Sequence, residues 1–255
     1  MTDAGRAPAD GDAVDPRVWV VLPTYDEADN IERLVTAIRE RLPESRRVLI
    51  VDDNSPDGTG EIAERLATRY DDVQVMHRVA KEGLGPAYVA GFKRALAGGA
   101  ELVVAMDSDF SHDPSYLPRL LRAAEDADLV IGSRYIPGGG VTEWGGVRRA
   151  ISRGGSAYAR TILGVGIRDL TGGFKCYRRE VLEAIELDTL RAKGYAFQVE
   201  TTFRAIRDGF KVVEIPIVFS DRSEGSSKMS RAIVAEAVWR VPAMRFRRRF
   251  GKEQS

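Results

Sequence analysis

Cysteine is almost absent from this chain, because Cys176 is the only one among its 255 residues. A single cysteine excludes an intramolecular disulfide and is typical of a protein that works in a reducing compartment. The chain also lacks the apolar segment of a secretory signal peptide, and it lacks any run of about 18 apolar residues. We therefore expect no secretion and no transmembrane helix, and we expect the protein to be cytoplasmic or peripheral on the cytosolic face of a membrane.

A surplus of charge of either sign is absent as well, since Lys+Arg and Asp+Glu both number 38. This balance predicts no nucleic acid partner, so local clusters of charge must define what the protein binds. The two histidines, His77 and His112, lack the spacing of zinc ligands. What the chain does contain is ordinary for a globular domain, with 44% hydrophobic and 30% charged residues and enough length for a sizeable core.

Short apolar runs alternate with helical patterns through the first half of the chain. Strands buried on both faces are predicted at residues 18–22, 48–51, 73–76, 101–106 and 129–132. Helical spacing of apolar residues between them predicts an α/β fold whose mostly parallel sheet carries helices on both faces. Further along, residues 197–207 are predicted to be a helix and residues 212–219 a single strand. We expect residues 1–15, rich in Ala, Asp, Gly and Pro, to be a disordered tail.

The segment MDSDFSHDP, residues 106–114, follows the fourth of these strands. Alternation along an extended chain turns Asp107 and Asp109 to the same side. Two carboxylates at the carboxyl edge of a parallel sheet can hold a hard divalent cation together with phosphate oxygens. The alternative is a loop that caps the following helix, a role that Asp113 can fill alone. On that alternative, Asp107 and Asp109 have no evident structural role.

Other polar clusters follow the other predicted strands, at residues 23–27, 52–57 and 133–135. Because a doubly wound sheet binds ligands outside the carboxyl ends of its strands, these clusters predict one binding site. No G-x-G-x-x-G sequence follows the first strand and no P-loop is present, so NAD and FAD are not expected. We expect a diphosphate held by a metal ion and arginines. Asp53 can accept hydrogen bonds from a nucleobase, and the alternative is that it caps the next helix.

Seven motifs in order carry a family resemblance: PTYDE, VDDNSPDGT, MDSDFSHDP, GSRY, ISRG, DLTGGFK and FSDRSEGSSK. From about Val18 to Lys228, the chain resembles the polyprenyl-phosphate (dolichyl-phosphate) mannosyltransferases of glycosyltransferase family 2. The resemblance implies a GT-A fold, with a Rossmann-like nucleotide half at about 16–135 and an acceptor half at about 136–227. It also implies transfer of mannose from GDP-mannose to a lipid monophosphate with inversion.

The resemblance also assigns roles to individual residues. The implied nucleotide-sugar-binding residues are Pro23, Tyr25, Glu27, Val51, Asp53, Asp107, Ser108, Asp109, Arg134, Arg222 and Lys228. The implied ligands of Mg²⁺ or Mn²⁺ are Asp107, Asp109 and Ser111, the last at a position where some members of the family have Gln. Catalytic roles fall to Asp109 and to Arg134 of the GSRY motif. Arg222 and Lys228 match a basic pair on a loop that closes over the donor.

A phosphate acceptor changes what the active site has to supply. A phosphate monoester is already an anion at neutral pH and needs no general base, and the Q-x-x-R-W signature of relatives that glycosylate hydroxyl groups is absent. Cations must position the acceptor, and arginine suits phosphate because its guanidinium forms paired hydrogen bonds. The candidates are Arg134, Arg148, Arg149 and Arg153. For the last three, a solvated helix face is the alternative.

The segment 228–255 is predicted to be a helix followed by a basic tail, with five cations interleaved with Phe246 and Phe250. Such a tail can lie on an anionic membrane surface, and the alternative is a solvated helix end. A separate membrane-anchoring partner is a further way to bring the protein to its lipid substrate. Two other functions are also open: the same reaction with UDP-glucose or another donor, and a nucleotide-sugar-binding subunit without activity.

Overall fold

The computed structural model describes residues 17–142, 144–190, 194–220 and 240–245. The predicted tail at 1–15, the loop with Arg222 and Lys228, and most of the segment 228–255 lie outside these ranges. Within the described ranges, no helix has both the length and the apolar character needed to cross a membrane.

The described chain alternates between strands and helices. The strands are β1 (Val18–Thr24), β2 (Arg47–Asp52), β3 (Val73–His77), β4 (Leu102–Ala105), β5 (Leu129–Ser133), β6 (Gly140–Val141), β7 (Lys175–Arg178), β8 (Val212–Pro216) and β9 (Val218–Phe219). The α-helices are α1 (Ile31–Arg39), α2 (Thr59–Arg69), α3 (Leu84–Ala97), α4 (Leu117–Ala123), α5 (Gly146–Leu163), α6 (Arg179–Ala184) and α7 (Tyr195–Arg207). Short 3₁₀ turns at Pro114–Tyr116 and Leu187–Thr189 complete the described elements.

Seven strands form one sheet in the order β3-β2-β1-β4-β7-β5-β8. All neighbouring pairs are parallel except those of β7, which runs antiparallel to both β4 and β5. The predicted mostly parallel sheet is thus confirmed. Two of its strands, β7 and β8, come from the predicted acceptor half, so that both halves build a single sheet.

The single strand predicted over residues 212–219 is wrong, because the chain divides there into two strands. Pro216 is the last residue of β8 and pairs with Ser133 of β5, whereas β9 pairs with β6 in a separate two-stranded sheet. Between the two strands, buried Ile217 packs against Gly132, where a Cβ would lie 3.0 Å from its Cδ1. The change of sheet carries β9 across the carboxyl end of β5.

Both faces of the large sheet are buried, as the continuous apolar strands predict. In β1, Val18, Val20 and Leu22 pack into the core beneath α1, α2 and α4. Trp19 and Val21 point the other way, into the core shared with α3, α5, α6 and α7. This alternation follows from the two-residue repeat of a strand and confirms helices on both faces.

The strand order reverses at β1, because β2 and β3 lie on one side of it and β4 lies on the other. A crevice opens at such a point, outside the carboxyl ends of the strands. Helix α3 packs directly against β1 here, because a Cβ at Gly91 would lie only 2.3 Å from Cγ1 of Val21. One helical turn before Gly91, Tyr88 is thereby placed beside the crevice.

Candidate functional site

The carboxylate of Asp107 is held at the end of β4 by contacts from two elements. Its Oδ1 accepts a hydrogen bond from the hydroxyl of Tyr88 at 3.1 Å, and its backbone N–H donates to Nδ1 of His112 at 3.0 Å. Burial raises the pKa of Tyr88 well above its usual value, so the phenol keeps its proton and remains a donor. The position of Asp107 is thus fixed while its side chain stays partly exposed.

Asp109 lies two residues further on and is buried. Its Oδ1 accepts from the backbone N–H of Ser111 at 3.0 Å and from the hydroxyl of Ser111 at 2.5 Å. Phe110 between them adopts a left-handed conformation with φ of 59°, which turns the chain sharply. The expectation that Asp109 has no structural role is therefore wrong, because this carboxylate closes the turn. Asp113 caps the next helical turn as predicted, through Ser115 N–H at 2.8 Å.

One small cavity brings several predicted residues together. Asp107, Asp109, Ser111, Arg134 and Arg148 all line it. The two predicted arginines Arg149 and Arg153 are exposed on α5 and do not line the cavity. The side chains in its wall that were not predicted as site residues include His112, Trp144 and Gln198. The carboxylates and the arginines thus meet across one space, although they come from distant parts of the chain.

Arg134 is buried and forms an ion pair with buried Asp169. Its Nε and Nη2 donate to the two carboxylate oxygens at 2.7 and 2.8 Å, and its backbone N–H donates to Oδ2 at 2.9 Å. Nη2 also donates to Thr171 at 2.9 Å. Burial alone would raise the pKa of Asp169, but the charge and hydrogen bonds of Arg134 hold it below its usual value. Asp169 thus fixes the plane of a guanidinium for which the sequence predicts catalytic, donor-binding and acceptor-binding roles but no ion-pair partner.

Trp144 is buried and lies against two arginines, Arg134 and Arg148. Its ring centroid is 5.7 Å from Cζ of Arg134 and 4.3 Å from Cζ of Arg148, and it meets Phe219 edge-on at 5.4 Å. Its Nε1 is buried and has no hydrogen-bond partner. An indole N–H can only donate, so a cavity-lining residue beside two cations holds an unused donor.

His112 forms the wall behind the two carboxylates. Its ring stacks on Phe174 at 4.9 Å and meets Phe219 edge-on at 5.4 Å. Burial lowers the pKa of His112, so the ring is neutral, and its Nδ1 must be the acceptor because the Asp107 N–H donates to it. His112 therefore orients Asp107. The predicted segment contains His112, but no pattern in it indicates this contact.

Asp53 lies after β2, with its carboxylate buried against Arg78, which also reaches Glu82. Burial raises the pKa of Asp53, partly offset by Arg78. The alternative role of Asp53 as a helix cap is excluded by Asp57, which accepts from the backbone N–H of Thr59 at 3.0 Å. The carboxylate of Asp53 therefore lies at the strand end without a capping role.

The loop after β1 is joined to both neighbouring clusters. Ser108 donates from its hydroxyl to the carbonyl of Pro23 at 2.9 Å, and the Glu27 N–H donates to Thr59 Oγ1 at 3.0 Å. Lys81 Nζ lies 3.4 Å from the ring centroid of Tyr25. Val51 is fully buried in β2. The predicted convergence of polar clusters at the carboxyl ends of β1, β2 and β4 is found in the structure.

A mostly parallel α/β sheet with two carboxylates at its switch point matches the GT-A class of glycosyltransferases. Residues 19–186 match the model of glycosyl transferase family 2. The chain belongs to this family and is a glycosyltransferase.

Two curated relatives are similar over most of their length. The chain is 49% identical over 225 residues to the undecaprenyl-phosphate mannosyltransferase of Micrococcus luteus, covering 88% of this chain and 92% of that one. It is 49% identical over 227 residues to the polyprenol monophosphomannose synthase of Mycolicibacterium smegmatis, covering 88% and 85%.

Solved structures at lower identity share the fold. Glucosyl-3-phosphoglycerate synthase from Mycobacterium tuberculosis, in complex with phosphoglyceric acid, has a TM-score of 0.65 at 21% identity and covers 89% of this chain and 80% of its own. A mannosyltransferase from Pyrobaculum calidifontis, in complex with GDP-Man and Mn²⁺, has a TM-score of 0.58 at 20% identity, with coverage of 84% and 59%.

Proposed function

We propose that this protein transfers mannose from GDP-mannose to a polyprenyl (dolichyl-type) monophosphate with inversion, giving a polyprenyl-phosphate mannose. One observation carries the proposal: the carboxylates Asp107 and Asp109 face Arg148 and Trp144 across one cavity. The carboxylate side suits a metal-bound diphosphate, and the cationic side suits an acceptor phosphate. The names of the two relatives at 49% identity support the sugar and the lipid acceptor.

We propose that Asp107, Asp109 and Ser111 hold Mg²⁺ or Mn²⁺. Within the described ranges, no three His, Cys, Asp or Glu side chains are grouped as metal ligands. Two carboxylates and a hydroxyl suit a hard cation that takes its remaining ligands from water and substrate phosphates, and this is how such ions bind nucleotides. The bound metal would neutralise the charge that develops on the diphosphate leaving group. The Mn²⁺ in the Pyrobaculum mannosyltransferase structure is consistent with this assignment.

In the proposed mechanism, the chain orients two anions. Asp53 accepts hydrogen bonds from the nucleobase, and Pro23, Tyr25 and Glu27 shape the crevice around the nucleoside. Buried Val51 supports the strand end that carries Asp53. The half up to about residue 135 would thus bind the nucleotide of the donor, and the half at about 136–227 would supply the acceptor site. Arg222 and Lys228, which lie outside the described residues, are proposed to close over the donor.

On the acceptor side, Arg148 and the Trp144 N–H would bind the lipid phosphate. The phosphate attacks the anomeric carbon from the face opposite the leaving group, and no base is needed because the nucleophile is already an anion. Arg134, held by Asp169, places positive charge between the two anions and lowers their repulsion. Arg149 and Arg153 are exposed on α5, so their proposed role is to attract the anionic substrate rather than to contact it in the cavity.

Incubation with radiolabelled GDP-mannose and undecaprenyl phosphate should yield labelled lipid, and excess EDTA should abolish the yield. EDTA removes the divalent ion that is proposed to neutralise the diphosphate. Mn²⁺ or Mg²⁺ added in excess of EDTA should therefore restore transfer. UDP-glucose serves as the parallel donor. Faster transfer from UDP-glucose would overturn the proposed donor. Transfer that survives EDTA would overturn the proposed requirement for a metal ion. Binding of GDP-mannose without transfer would indicate a non-catalytic subunit.

The exposed face of α5 supports a peripheral position on a membrane. Val147 is 77% exposed and Ile151, one turn later, is 47% exposed. Arg149 and Arg153 are exposed on the same helix, whose first turns also carry Arg148 into the cavity wall. Apolar and basic side chains on one helix are typical of contact with an anionic lipid surface. We propose that α5 contributes to this contact beside the basic tail 228–255, most of which lies outside the described residues.

Replacing Val147 and Ile151 together with serine should weaken binding to anionic liposomes by about 10-fold, because two apolar side chains leave the lipid. Co-sedimentation with phosphatidylglycerol vesicles at low and high salt measures the effect. The control is Val79→Ser, since Val79 is 98% exposed but follows β3 at the sheet edge. Equal binding of the double variant and the control would show that α5 does not touch the membrane.

A further inference from the structure

Gln198 is the least satisfied polar side chain in the cavity wall. It lies in the first turns of α7, is only 2% exposed, and lines the same cavity as Asp107 and Asp109. Neither its Oε1 nor its Nε2 has a hydrogen-bond partner. A buried amide that leaves both a donor and an acceptor unpaired costs folding free energy, so it calls for a ligand that pairs with both.

The backbone that carries this amide is held by a residue of the central sheet. Buried Lys175 of β7 donates from Nζ to the backbone carbonyl of Gln198 at 2.7 Å and to the hydroxyl of Thr201 at 3.4 Å. These contacts join the start of α7 to the centre of the sheet. The amide therefore lies on a rigid support, although α7 begins far along the chain from the carboxylates.

Gly173 provides the space next to the amide. A Cβ at Gly173 would lie 3.4 Å from Gln198 Nε2, 3.4 Å from His112 Cε1 and 3.7 Å from Asp107 Oδ2. The amide and the Asp107 carboxylate thus approach the same point, and the missing side chain keeps that point open. A side chain at residue 173 would therefore fill the space between the amide and the carboxylate, which glycine leaves to a ligand.

The chemistry of an amide selects among the groups that a nucleotide sugar presents. A phosphate accepts hydrogen bonds but does not donate them, so it would leave Oε1 unpaired, and a metal ion would leave Nε2 unpaired. A hydroxyl group both donates and accepts. Two neighbouring hydroxyl groups on a sugar ring match both atoms of an amide at once.

We propose that Gln198 binds hydroxyl groups of the transferred hexose and so selects the sugar of the donor. This inference rests on the proposed function, because it assumes that a nucleotide sugar binds beside Asp107 and Asp109. It adds a sugar-binding subsite on α7 to the diphosphate and acceptor subsites. The Asp107 carboxylate, which approaches the same point, limits the space to a small polar group.

The test compares GDP-mannose with its 2-, 3-, 4- and 6-deoxy analogues, in the wild type and in Gln198→Ala. The wild type should lose on the order of 10-fold to 100-fold in kcat/KM with at least one analogue, because the buried amide is then left unpaired. Gln198→Ala should lose about as much with GDP-mannose itself, and should no longer distinguish that analogue from GDP-mannose.

Thr202→Val is the matched control. Thr202 lies one turn further along α7, and its hydroxyl is likewise buried without a partner, but it does not line the cavity. This variant should keep the wild-type preference among donors. Binding of GDP, which carries no hexose, should be the same in all three proteins. Thermal melting of ligand-free Gln198→Ala checks that the variant is folded.

Two results would overturn the inference: equal discrimination in Gln198→Ala and the wild type, or weaker GDP binding in Gln198→Ala. If the protein uses another nucleotide sugar, the deoxy series of that sugar gives the same test. Failure of the proposed donor would therefore be seen separately from failure of the sugar subsite.

Discussion

Replacing Asp109 with asparagine should reduce mannose transfer by on the order of 1,000-fold while the protein stays folded. Removing one charge from the proposed metal centre leaves the departing diphosphate poorly neutralised, and a loss of several kcal/mol in transition-state stabilisation follows. Asparagine keeps an oxygen that can accept from Ser111, as Oδ1 of Asp109 does. Alanine would break this turn and confuse a catalytic effect with a structural one.

The control for this variant is Asp113→Asn. Asp113 belongs to the same segment, but it is exposed, and it caps a helical turn by accepting from the backbone N–H of Ser115. Its substitution should change transfer by less than about 3-fold, because a cap contributes only about 1 kcal/mol to stability and none to the chemistry. Initial rates with saturating Mn²⁺ and thermal melting of each variant are the measurements. Near wild-type transfer by Asp109→Asn would show that the metal is not bound there.

The second large effect is expected from Asp169→Asn. Arg134 would remain buried without its counter-charge, and breaking a buried ion pair from one side typically costs about 3–5 kcal/mol. Transfer should fall as well, because Asp169 holds the guanidinium in the plane that faces the cavity. Unfolding in urea at pH 7 measures the loss. The control is Glu101→Gln, which removes the exposed pair with Arg17 and should cost less than about 1 kcal/mol.

The pH dependence of this pair has a definite sign. The pKa of Asp169 is lowered in the folded protein from its ordinary value of 3.8. Its contribution to stability is therefore fully present above that value and is lost as the pH falls towards the lower, folded pKa. The difference in unfolding free energy between wild type and Asp169→Asn should shrink with acidification below about pH 4. A difference that stayed constant down to pH 2 would contradict the lowered pKa.

Local patterns in the sequence determined the strands of the first half, the pair of carboxylates and one helix cap. Five apolar runs predicted five strands of the sheet, because a strand buried on both faces must be apolar along its whole length. The pair Asp107 and Asp109 was predicted to share one side of the chain, and both line one cavity. Asp113 was predicted as a cap from its position before a proline, and it caps Ser115. Each of these features depends on residues close together in the chain.

The tertiary structure alone decided which distant residues meet. No local pattern indicates that β7 inserts antiparallel between β4 and β5, since strand order depends on pairing across the chain. Asp169 lies 35 positions after Arg134, and only the fold brings them into contact. Gln198 is an ordinary helical residue until α7 packs over Gly173. Burial and partnership are properties of the packed molecule, so the unpaired amide and the ion pair could not be predicted from spacing or composition.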